Sequence, residues 1–175
     1  SQQIFDENKR LRHLLAMPLP PDLNFSDAQV IGSQGDYLII NKGEKDGIEE
    51  KQLVLAGNYL VGRVEKVLEK QAKILRVDSI KFSTPVLIFR DDPGCFSQNQ
   101  LCQQGKGVTH GTRVKQILRE ELVVKGNLIA LLDGPEGILV GRVMKVSESY
   151  DRVFLEARFE SLVDFSKLTE VFLVR

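Results

Sequence analysis

The spacing of apolar and polar positions changes once along the chain, near residue 18. Before it, Ile4 and Leu11 stand one heptad apart, and Leu14 and Leu15 extend the same stripe. Glu7, Lys9, Arg10 and Arg12 fill the opposite face, so the spacing predicts a helix over 1–17. Two heptads are too short to be stable alone. The helix is therefore either the end of a longer coiled coil or a cap lying on the first β unit. Pro18, Pro20 and Pro21 stop it, because proline lacks the donor and restrains the residue before it. They form an elbow over 18–27. Beyond the elbow the period is two. Strands are expected at 28–31, 37–40, 53–56, 60–67, 72–77 and 84–89, with turns such as 41–47, which carries Gly43 and Gly47. Asp91-Asp92-Pro93-Gly94 is a strong break. Six more strands are expected after it, at 100–104, 113–118, 128–132, 138–146, 152–159 and 170–174.

One strand occurs twice. Leu60-Val61-Gly62-Arg63-Val64-Glu65-Lys66-Val67 returns 79 positions later as Leu139-Val140-Gly141-Arg142-Val143-Met144-Lys145-Val146, with seven of eight residues identical. This reads as an internal duplication rather than chance recurrence. Strict alternation places Leu60, Gly62 and Val64 on one face and lets Arg63 reach solvent on the other. A glycine inside a strand marks a bulge, a barrel corner or a close backbone approach, so Gly62 and Gly141 are expected at bends. Alternation also puts Val140, Met144 and Val146 on an outward face. Three apolar residues there make a candidate partner surface, with Met144 standing where the first copy has Glu65.

Regular short strands, glycine-rich turns and almost no helix argue for barrels. The expected fold is mainly β. A short N-terminal helix precedes two six-stranded Greek-key barrels, 28–90 and 95–175, with exchange of strands between them left open.

Lys plus Arg and Asp plus Glu each number 24, so the net charge is zero and a nucleic-acid surface is disfavoured. Aromatics are 7% and Trp is absent, which leaves few stacking platforms. Cys95 and Cys102, seven positions apart, can pair across a hairpin or stay free. Two cysteines do not make a four-ligand zinc site, and no metal or cofactor is expected.

A double barrel is also the architecture of chymotrypsin-like proteases. Only His13 and His110 are available, and no Gly-x-Ser-x-Gly, His-Glu-x-x-His or phosphate-binding glycine motif occurs. His13 reads as a solvated side chain, and His110 as a turn or surface residue. Gly105-Lys106-Gly107 reads as a turn. No active site is expected.

The ordered set of motifs resembles the extracytoplasmic part of the rod shape-determining MreC family. It comprises Glu7 to Leu15, the turn Ile40 to Ile48, Leu60-Val61-Gly62-Arg63-Val64 and Val140-Gly141-Arg142-Val143. The stretch Leu131 to Leu139 is shorter than the family's usual turn there. The resemblance implies a non-enzymatic scaffold of the cell-elongation machinery on the periplasmic face of the bacterial inner membrane. Its anchor would be an N-terminal membrane helix absent from this chain. It implies self-association, through Ile4, Leu11, Leu14 and Leu15, and partnership with penicillin-binding proteins, MreD and MreB.

Overall fold

The computed structural model describes residues 24–92 and 102–175. The predicted helix, with Ile4, Leu11, Leu14 and Leu15, lies outside the described residues, as do His13 and Cys95. Among the described residues there are twelve strands and one 3₁₀ turn, Glu44–Asp46. The strands are β1 (Phe25–Gln34), β2 (Tyr37–Ile40), β3 (Leu53–Ala56), β4 (Tyr59–Val67), β5 (Ala72–Arg76) and β6 (Pro85–Phe89), then β7 (Gln103–His110), β8 (Arg113–Ile117), β9 (Leu128–Leu131), β10 (Leu139–Glu148), β11 (Leu155–Ser161) and β12 (Glu170–Val174).

The pairings close two rings. β6, β7, β8, β11, β10 and β9 form one, closed by β10 against β11. β1, β2, β5, β4, β3 and β12 form the other, closed by β4 against β5. Closure leaves no free sheet edge to aggregate on. The expected division at 90–95 is therefore corrected. β6 belongs to the second ring, and β12 returns to complete the first between β1 and β3. Alternation states that a segment is a strand, not which ring receives it.

Local boundaries also move. β1 begins at Phe25, inside the expected elbow. Gly105-Lys106-Gly107 is not a turn but the middle of β7. Its glycines are needed for space: a Cβ on Gly107 would stand 2.5 Å from the Lys115 carbonyl oxygen. In the turn at 41–47, Gly47 has φ 78° and a Cβ on Gly43 would meet the Leu68 carbonyl at 2.2 Å.

The duplicated strands are β4 and β10, and both break alternation at the same two places. Val61 is the extra residue of β4 against β3, and Glu65 against β5. Val140 is the extra residue of β10 against β9, and Met144 against β11. These bulges turn Val61 and Val64 into one core and Val140 and Val143 into the other. The copies meet at their starts. Leu139 pairs with Tyr59 in parallel, and Asn58 Nδ2 donates to the carbonyl of its own counterpart, Gly137, at 3.4 Å. Leu55, Leu60 and Leu75 project out of the first ring into the second ring's apolar cluster.

The duplicated arginines do not point to solvent. Arg63 donates to the Thr84 hydroxyl at 3.2 Å and the Ser83 carbonyl at 3.5 Å, just before β6. Its guanidinium lies over the Phe82 ring. Arg142 pairs with Asp91 at 2.7 Å, just after β6, and donates to the Gly126 carbonyl. One clamp stands at each end of the strand that crosses between rings. Burial disfavours the charge on Arg63 and lowers its pKa, while Asp133 acts in the opposite direction.

Candidate interaction surface

The expected surface Val140, Met144, Val146 is corrected by the bulges. Val140 is fully buried in the second core, and Val146 packs against that core. Met144, half-buried at the bulge, keeps part of its side chain at the surface.

The large exposed apolar residues of this ring lie on a loop and a turn instead. β9 covers β10 only as far as Arg142. Beyond Arg142 that flank of β10 meets the two ends of the loop 118–127, while the loop's middle lies on β7, where Leu122 N donates to the Gln104 carbonyl at 3.2 Å and Lys106 N donates to Glu121 at 2.9 Å. Gly126 N and Asn127 O bond Val143 at one end, and Arg119 pairs with Glu148 at 2.7 Å at the other. Arg119 also donates to the Arg152 carbonyl, tying the loop to the β10–β11 turn. Within the loop Val123 is buried, which forces its neighbours outward. Leu122 is 73% and Val124 56% exposed, and Leu118 at the loop's start is 45% exposed. In the turn Tyr150 is fully exposed and Val153 is 56% exposed. The signal in sequence is Leu122-Val123-Val124 set between charged residues, in a stretch where alternation predicts no element.

The turn is held by its own side chains. Ser149 Oγ donates to Asp151 at 2.6 Å and Val153 N donates to the same oxygen. These bonds, the hydroxyl's first, lower the Asp151 pKa below its ordinary 3.8. Cys102, just before β7, is disulfide-bonded.

His110 ends β7 on the protein surface, and among the described residues no serine–histidine–carboxylate arrangement forms around it. Among the described residues no three histidines, cysteines or carboxylates gather as a metal site would require. Among them, too, no helix is long and apolar enough to cross a membrane.

The barrel-core model of the rod shape-determining protein MreC family matches residues 29–175. The chain belongs to the MreC family. It is 28% identical over 180 residues to the cell shape-determining protein MreC of Haemophilus influenzae, covering 98% of this chain and 50% of that relative. The chain thus spans about half the length of that MreC. Its fold is shared with MreC from Pseudomonas aeruginosa, at a TM-score of 0.72, 22% identity and coverage of 87% and 99%. It is shared also with the major periplasmic domain of the cell shape-determining filament MreC, at 0.68, 19% identity and coverage of 87% and 95%. A third MreC, from Helicobacter pylori and solved in complex with the penicillin-binding protein PBP2, matches at 0.62 with 18% identity, covering 88% and 99%. Within the family frame, Gly62 and Gly141 take on a plain role: they are the close-approach positions of the duplicated strand. A Cβ at Gly62 would stand 1.9 Å from the Leu75 carbonyl oxygen, and one at Gly141 would stand 2.5 Å from that of Glu160.

Proposed function

We propose that the chain is the periplasmic barrel part of a non-enzymatic scaffold of the elongation machinery. In this reading it associates with itself and holds a peptidoglycan synthase of the penicillin-binding class, alongside MreD and MreB. An N-terminal segment beyond this chain anchors it to the inner membrane. The two rings, with β6 and β12 exchanged, are read as Greek-key barrels of the chymotrypsin-like kind without its chemistry. The observation that carries the proposal is the family match across both rings. The Helicobacter relative solved with PBP2 and the Pseudomonas and filament folds support it.

The surface assigned to the synthase is the one formed by Leu118, Leu122, Val124, Tyr150 and Val153, together with the part-exposed Met144. Apolar groups held out in water by a buried anchor are stabilised when a partner covers them. The test is capture from detergent-solubilised membranes with residues 1–175 as bait, with the captured proteins identified by mass spectrometry. A penicillin-binding protein enriched by the native bait, and lost from Leu122→Ser/Tyr150→Ser bait, is the expected result. Equal enrichment by both baits would remove this surface, and no penicillin-binding protein at all would remove the scaffold reading.

A further inference from the structure

We propose that the hollow beside the β7–β8 hairpin binds a small anionic group, a carboxylate or a phosphate. In this hairpin Val108 stands opposite Lys115 and His110 opposite Arg113. Thr109 and Val114 are fully buried and take the inner face. Alternation therefore gathers Val108, His110, Arg113 and Lys115 on the outer face. Alternation then breaks at Gln116, which has φ 63° within a register shift against β11. A non-glycine residue in that region persists only where its surroundings impose it.

The linker into β6 supplies the other wall. Thr84 N donates to Thr109 Oγ1 at 3.0 Å, and Arg63 holds the Ser83 carbonyl. The result is a cavity of about 230 Å³ lined by Ser83, Val108, Thr109, His110, Lys115 and Gln116. Its polar rim offers an ammonium, an imidazole, a hydroxyl and an amide, and no carboxylate. Nearby Glu156 is already paired with Arg113 at 3.3 Å. Among the described residues His110 and Lys115 have no ion-pair partner. The chain has as many acidic as basic residues, so a hollow rimmed by donors is a local arrangement rather than the average of its surface. Ligand pockets for whole drug-sized molecules run to roughly 300–1,000 Å³, so this one suits a single terminal group. Charge-assisted bonds from Lys115 and His110 would hold its oxygens.

The hollow stands or falls independently of the scaffold reading, and its test uses the purified chain alone. Amide and side-chain NMR spectra of residues 1–175 are recorded during titration with acetate and, separately, with inorganic phosphate. The expected result is saturable shifts at Val108 to Gln116 with at least one anion, weakened about tenfold in Lys115→Met, where one charged donor is lost. Lys66→Met, on β4, should leave the titration unchanged. Saturation with acetate alone assigns the site to a carboxylate, as at a peptide terminus, and saturation with phosphate alone to a phosphate ester. Shifts that never saturate, or that persist undiminished in Lys115→Met, would overturn the proposal.

Discussion

Gly62 and Gly141 carry the tightest contacts of the duplicated strand, and both are faced by backbone of the neighbouring strand, which has little room to give. Valine at either position must push β5 or β11 away, at a cost of about 1–3 kcal/mol. Thermal melts of Gly62→Val and Gly141→Val should show midpoints lower by several degrees. Midpoints equal to the native one would remove the close-approach role. Glycine repeated inside a strand was enough to single out these two positions from sequence. The fate of Arg63 and Arg142 was not legible, because alternation sends a charged residue outward and says nothing of a chain segment waiting to receive it. Asp151 gives a pH-dependent prediction of modest size. Its folded pKa is lowered, so its contribution to the β10–β11 turn is complete above its ordinary value of 3.8 and is lost as pH falls through the lower folded value. The protection of the Val153 amide, its exchange relative to an unstructured amide at the same pH, should fall only in that acid range, and protection already lost near neutrality would contradict the assignment.

At the scale of elements, strand identity was largely legible and strand partnership was not. Of the twelve expected strands three match their bounds and seven needed only shifts at their ends, but the one placed at 100–104 lies at 103–110 and β1 starts earlier than expected. Bulges explain the failed surface. One extra residue at Val140 and another at Met144 move Val140 from the outer face to the core, and no period-two argument registers that change. The arginine clamps suggest that β6 is what locks the rings together. In the pair of Arg142 and Asp91 the side chains are 18% and 26% exposed, so removing one partner leaves a largely buried charge behind. Arg142→Met should therefore cost about 1–3 kcal/mol, less than a fully buried pair would. It should also raise proteolytic cleavage near residues 90–92. An unchanged urea midpoint together with unchanged cleavage would mean that the clamp contributes nothing.

At the scale of the molecule, the family was legible because its motifs occur in order along the chain, although each is weak alone. The candidate surface was less so. It is assembled from a loop at 118–127 and a turn at 149–154, brought together by Arg119 contacts across 29 and 33 residues. In the proposed reading, self-association runs through the apolar stripe Ile4, Leu11, Leu14 and Leu15 of the helix that the sequence spacing predicts. Ile4→Ser/Leu11→Ser should shift the protein toward monomer in analytical ultracentrifugation. An unshifted species would leave that helix as a cap on the barrel. The central claim is that the barrels hold a synthase, and binding of residues 1–175 to an immobilised periplasmic region of the cognate penicillin-binding protein tests it most directly. The account predicts saturable binding by the native chain and loss of it in Met144→Glu and in Leu122→Ser/Tyr150→Ser, with all of them folded by circular dichroism. No binding by the native chain, or equal binding by folded variants, would contradict it.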